Sequence, residues 1–135
     1  MSRKPASLSG RCLCGAVRFA CSAAPRWVVN CHCDSCRRNC SAPYTTFLGV
    51  ADGAWRWTGA DPAVYRSSPW VQRLFCPTCG SQMAFLSERW PGEIHFYAAS
   101  LDDPDAVAPE ADVYLAEKLS WVHRDDRLTG HEGSG

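Results

Sequence analysis

Apolar side chains recur at every second position in several short stretches of the chain. Val17, Phe19 and Cys21 share one face of Ala16–Cys21, and Ile94, Phe96 and Ala98 share one face of Ile94–Ala98. Trp55–Thr58, Ala63–Arg66 and Val71–Cys76 show the same brief alternation. A repeat of two marks a strand with one buried face. Turn-forming clusters separate these stretches, at Ala51–Gly53, Gly59–Pro62, Ser67–Pro69, Pro91–Gly92 and Asp102–Pro104, and leave no room for a long amphipathic helix. The pattern predicts a mainly β fold built from antiparallel sheets. Short helical turns are expected at Asp34–Asn39, where Asp34 would cap backbone donors, and around Asp105–Ala108. His95, flanked by Ile94 and Phe96, is expected to face outward from its strand.

A chain of 135 residues can bury about two thirds of its unfolded surface around one core. One domain is therefore expected over residues 9–128, between loose, small and polar ends at 1–8 and 129–135. Hydrophobic residues make up 46% of the chain and charged residues 21%, the mixture of a globular rather than a disordered protein. Fourteen Lys and Arg balance fourteen Asp and Glu, with no basic stripe, so the electrostatic footprint of nucleic-acid or anionic-membrane binding is lacking. Six tryptophans and five phenylalanines would serve base stacking only beside a basic groove, and core packing accounts for them better. No apolar run approaches the roughly 20 residues of a membrane span, and Met1–Ser9 lacks the apolar stretch of a secretory signal. The cytoplasm is the expected location.

Nine cysteines change the picture. An odd count without a signal segment argues against an oxidised scaffold, and seven of the nine fall in three clusters: Cys12-Leu13-Cys14, Cys31-His32-Cys33-Asp34-Ser35-Cys36 and Cys76-Pro77-Thr78-Cys79-Gly80. In an extended segment residues i and i+2 project from one side, so both thiolates of a Cys-x-Cys reach one zinc at about 2.3 Å. A Cys-x-x-Cys does the same by turning, and Gly80 accepts the positive φ such turns need. Cys76–Gly80 thus reads as a zinc knuckle, which supplies two of the four ligands a structural zinc takes.

Spacing does not choose the second pair. If Cys12 and Cys14 complete the knuckle, Cys31, Cys33 and Cys36 remain as a three-thiolate group with one coordination position open. A zinc with three thiolates is a weak activator of water but suits the ionisation of an incoming thiol that then attacks a carbonyl carbon. Arg37 and Arg38 would offset the charge of this group or bind a substrate carboxylate, or else lie in a solvated turn. Cys40 leaves a different arrangement open, a four-thiolate zinc or iron–sulfur site made of Cys31, Cys33, Cys36 and Cys40. His32 is an acid–base group or an alternative ligand, or is turned away from the metal by the alternation along Cys31-His32-Cys33. Cys21, on the apolar face of its strand, reads as a small core residue, and His123 and His131 lie near a polar end. Two function classes follow: an enzyme that adds a thiol to an electrophile, or a non-catalytic zinc module whose outer face binds another protein.

The order and combination of Gly10–Phe19, Cys31–Arg38, Tyr65–Ser68, Arg73–Ser81, Leu101–Pro104, Lys118 and Trp121 resemble the glutathione-dependent formaldehyde-activating enzymes, the family that also includes centromere protein V. The resemblance runs roughly from Ser9 to Trp121. It implies a fold of β-sheets pinned by zinc, akin to methionine sulfoxide reductase B, and two zinc ions per chain. Cys12, Cys14, Cys76 and Cys79 match the family's structural zinc positions, and Cys31, Cys33 and Cys36 match its catalytic zinc. Glutathione is the implied co-substrate, condensed with formaldehyde to S-hydroxymethylglutathione by an activity placed among the carbon–sulfur lyases. Arg73 and the Ser67/Ser68 pair become candidates for substrate hydrogen bonds by resemblance alone. Cys40 stands where the family usually has a small residue.

Overall fold

Alternation places the strands, and two packed layers result. The computed structural model describes residues 7–135; of the expected loose N-terminal segment, residues 1–6 lie outside the described residues. The elements run β1 (Leu8–Arg11), β2 (Arg18–Cys21), β3 (Trp27–Cys31), α1 (Asp34–Cys40), β4 (Thr45–Ala51), β5 (Trp55–Trp57), β6 (Ala63–Ser68), β7 (Val71–Phe75), β8 (Gln82–Ser87), β9 (Glu93–Tyr97), β10 (Ala111–Val113) and β11 (Thr129–Gly130). A small sheet has the order β1-β2-β5, and a large one the order β11-β10-β3-β4-β9-β8-β7-β6. The expected helical turn near Asp105 is a short 3-10 segment, Pro104–Ala106.

The main core lies between the two sheets. Val17, Phe19 and Cys21 of the β2 segment meet Val28, Leu48, Val50, Ile94 and Phe96 of the large sheet, and the Phe19 and Phe96 rings stack at 4.0 Å. The opposite face of the large sheet is covered too. There Cys31, Cys36, Phe47, Phe85, Tyr97 and Val113 form a second buried cluster beside α1. Strands buried on both faces lose their alternation, which is why β4 reads as the nearly continuous apolar run Phe47–Val50. The same reason corrects the expectation for His95. Ile94 and Phe96 face the main core, but His95 and Tyr97 face the second cluster, and all four are buried.

Two further expectations change. The large sheet is mixed, because β10 pairs parallel with both β3 and β11. Parallel pairing needs a long connection, and here most of the chain lies between β3 and β10. The closing segment 129–135 is not loose along its length: β11 pairs with β10, the amide of His131 donates to the carbonyl of Asp112, and the amide of Tyr114 donates to the carbonyl of Gly133. Among the described residues no helix is long and apolar enough to cross a membrane.

Candidate metal centres

The turn between β1 and β2 carries Cys12 and Cys14, and the turn between β7 and β8 carries Cys76 and Cys79. Folding brings these four sulfurs within 4.8 Å of one another. Cys12 Sγ lies 3.6 Å from Cys14 Sγ, and Cys14 Sγ lies 3.8 Å from Cys76 Sγ. Four sulfurs placed tetrahedrally around zinc at about 2.3 Å would stand about 3.8 Å apart, so both the donor chemistry and the spacing fit the ion. The backbone supports this grouping. The Cys79 amide donates to Cys76 Sγ at 3.4 Å, the Val17 amide to Cys12 Sγ at 3.3 Å, and Gly80 adopts φ 80° as the knuckle requires. Ser81, which sequence reasoning passed over, joins the two turns: its hydroxyl accepts from the Leu13 amide and sits 3.1 Å from Cys79 Sγ. That contact, followed by backbone hydrogen bonds, pulls the Cys79 thiol down to about 5.

Cys31, Cys33 and Cys36 form the second group, again with all sulfurs within 4.8 Å. Cys31 ends β3, and Cys33 occupies the extended position that caps α1, its Sγ accepting the Cys36 amide at 3.3 Å. The cap is therefore Cys33 rather than Asp34, and the bond that starts the helix also orients a thiol. Hydrogen bonds from the Cys31 and Cys36 thiols push Cys33 far below its ordinary range, while contacts with Cys33 and Cys36, then burial, push Cys31 up. Cys40 stays out of the group, one turn further along α1, with its sulfur 3.9 Å from Asn39 Oδ1. The arrangement has three thiols and not four.

His32 turns away from these thiols, as alternation requires. Its Nε2 lies 2.9 Å from Asp112 Oδ1 on β10, and the same carboxylate accepts from Asn30 Nδ2 at 3.1 Å and Arg124 Nε at 2.9 Å. Burial opposes ionisation of Asp112, but the hydrogen bonds from His32, Arg124 and Asn30 outweigh it and hold the carboxyl below its usual range. Asp112, held in turn by Asn30 and Arg124, thus clamps the residue between Cys31 and Cys33.

The three-thiol group opens into a cavity of about 460 Å³, which none of the four cysteines of the first group line. Arg37 and Arg38 do not reach this cavity. They pair with Asp34 at 3.4 and 3.0 Å on the outer side of α1. Two other arginines line it instead, Arg73 and Arg89. Arg73 is buried and places Nη1 3.8 Å from Cys36 Sγ, its Nε donates to Ser67 Oγ at 3.1 Å, and its guanidinium lies 5.1 Å from the centre of the Phe85 ring. Burial works against its charge, yet the neighbouring Cys36 more than compensates. Arg89 lies over Trp90 and donates to the Tyr114 hydroxyl at 3.4 Å. Tyr114 itself adopts a left-handed backbone, φ 57°, a conformation rare for a bulky residue and costly by about 1–3 kcal/mol.

A solved structure of a Rhodobacter sphaeroides protein has the same fold, with a TM-score of 0.61 and 22% identity over 76% of this chain and 92% of that one. Among curated proteins, one of Halomonas elongata called "Putative glutathione-dependent formaldehyde-activating enzyme" is 31% identical over 89% of this chain and 82% of its own length. An uncharacterized lyase of Schizosaccharomyces pombe is 30% identical over 56% of this chain and 55% of its own length. The family model described as glutathione-dependent formaldehyde-activating enzyme matches residues 7–117, a span that contains both thiol groups, and the chain accordingly belongs to that family.

Proposed function

We propose that the protein catalyses the zinc-dependent addition of glutathione, or a related thiol, to formaldehyde or a similar carbonyl electrophile, at the centre formed by Cys31, Cys33 and Cys36. The observation that carries this reading is the asymmetry of the two thiol groups: four cysteines fastened between two turns, against three that open on a cavity. A zinc ion held by Cys31, Cys33 and Cys36 would supply an open coordination position and the positive charge that keeps a thiol ionised at neutral pH. Arg73, fixed by Ser67 and the face of Phe85, offsets the negative charge of the three thiolates. Arg89, at the cavity wall, is placed to meet a carboxylate of the thiol, a part the sequence pattern had offered to Arg37 and Arg38. In the reaction the S–H proton is lost, the sulfur bonds to the carbonyl carbon, and the carbonyl oxygen gains a proton, so no net charge or electron is exchanged. Run backwards, the same step breaks a carbon–sulfur bond, consistent with the lyase name of one relative.

Exchange NMR with carbon-13 formaldehyde and glutathione tests the proposal. The wild-type protein is expected to speed interconversion with the hemithioacetal without moving its equilibrium. Cys36→Ser should fold normally and lose the acceleration by more than about a hundredfold, since changes even to outer partners of a metal site cost about 10- to 100-fold. Exchange at the uncatalysed rate in the wild type removes formaldehyde as the electrophile. Equal acceleration by folded Cys36→Ser removes the assigned centre.

A further inference from the structure

The cavity beside the three thiols is lined by more aromatic side chains than a one-carbon electrophile and a polar thiol require: Trp27, Phe47, Trp70, Phe85, Trp90 and Tyr114. Its floor is dictated by strand register. Arg73 on β7 stands opposite Phe85 on β8, Phe85 opposite His95 on β9, His95 opposite Gly49 on β4, and Gly49 opposite Trp27 on β3. Directly paired residues share a face of the sheet, so this row runs from the thiol group across the large sheet. Gly49 contributes no side chain, and the Trp27 indole fills the space: a Cβ at Gly49 would meet the Trp27 ring at 2.3 Å. Trp27 is thereby laid against His95, ring centres 4.5 Å apart and nearly perpendicular. Trp90 closes on the same histidine at 5.4 Å, and Phe85 stacks beside it at 5.4 Å.

His95 is kept as part of this floor rather than as a solvated group. Its Nε2 is held 2.6 Å from Glu93, whose other oxygen pairs with Arg26 at 3.2 Å. At the mouth Trp70 is 53% exposed although it lines the cavity, and an exposed indole there is uncovered apolar surface at the entrance. Polar groups line the cavity as well, among them Glu117 and Arg89, whose guanidinium lies over the Trp90 ring at 5.0 Å.

We propose that the electrophile carries a flat apolar substituent, an aryl ring or its like, which lies on the Phe85–His95–Trp90 floor while its carbonyl carbon faces the three thiols and the polar thiol substrate occupies the Arg89 side. The proposal rests on the thiol-addition reading and names its substrate class. Planar rings favour edge-to-face and offset contacts with other rings, and the floor offers several such edges within one ring's reach. The addition balances as for any aldehyde: the S–H bond breaks, sulfur bonds to the benzylic carbon, and the proton ends on the oxygen as hydroxyl.

S-benzylglutathione and S-methylglutathione, stable thioethers with and without the ring, serve as probes in calorimetric titrations of the zinc-loaded, reduced protein. The benzyl compound is expected to bind at least about tenfold tighter, the discrimination a hydrophobic pocket gives for one or two apolar groups. Trp90→Ala, checked for folding by circular dichroism, should remove most of that preference, read as the ratio of the two affinities. Equal affinities, or no binding of either compound, overturn the proposal, as does a full preference retained by folded Trp90→Ala. Formaldehyde exchange separates the two readings. Acceleration of that exchange without a benzyl preference overturns this inference alone, whereas a benzyl preference without formaldehyde exchange supports it and overturns formaldehyde.

Discussion

At the residue scale His95 shows how burial sets chemistry. Enclosed by Trp27, Phe85 and Trp90, the imidazole loses hydration, and burial lowers its proton affinity despite the opposing pull of Glu93. A histidine whose folded pKa lies below the ordinary 6.5 stays neutral while the unfolded chain takes up a proton. Stability therefore falls as pH drops through 6.5 and levels off once the folded protein is protonated as well. Thermal melts from about pH 7.5 to about pH 5.5 should show this decline in the wild type and a shallower one in His95→Phe. Parallel curves for the two proteins would place the acid sensitivity elsewhere. Alternation alone put His95 on its actual face, opposite Ile94 and Phe96, but left that face to solvent, because a single strand's pattern cannot show that the strand is covered on both sides. Arg73 was similar: its tie to Cys36 spans 37 positions in sequence, and no local signal marks it.

At the element scale the three-thiol centre depends on how β3 meets α1 and β10. The chain leaves β3 at Cys31, turns through His32, and starts α1 with Cys33 as cap. Asp112 on β10 fixes that turn through His32 and Asn30 and is itself held by Arg124. Asp112→Asn should cost about 1.5–3 kcal/mol in denaturant unfolding, the range for buried hydrogen bonds to a charged group. It should also release metal from the three-thiol centre at roughly a tenfold lower chelator concentration, read by a colorimetric indicator. Asp125→Asn, in an exposed pair with Arg127, should change neither. If Asp112→Asn matches the wild type in both measurements, the clamp has no part in holding Cys31 and Cys33. The helix position was visible in the sequence as a short polar stretch, but its cap was not, because cysteine is an uncommon capping residue and Asp34 offered the ordinary signal one position later.

For the whole molecule the four-cysteine group is the junction of the two sheets. Cys12 and Cys14 belong to the small sheet's hairpin and Cys76 and Cys79 to the β7–β8 turn of the large sheet, so the ion they fit would tie the layers across the core. Structural zinc contributes on the order of 10 kcal/mol to small metal-dependent folds, comparable with the whole stability of an average domain. Cys76→Ser is expected to give insoluble or unfolded protein by circular dichroism, in contrast to the folded Cys36→Ser. A cooperative melt at the wild-type temperature would show that the sheets hold without this centre.

The sequence by itself determined the β character, the strands with one buried face, the family and the two cysteine groups, since each is written in local spacing: a period of two, or thiols two and three positions apart. Tertiary structure decided everything that depends on which surfaces meet. It made the large sheet mixed by returning β10 beside β3, buried both faces of β4 and β9, and kept Cys40 and His32 out of the three-thiol group. It also turned Arg37 and Arg38 toward Asp34 and set Arg73 and Arg89 in the cavity instead. Pairing across the sheet joins residues dozens of positions apart, and a pattern read along one strand carries no information about its neighbours until the register is fixed.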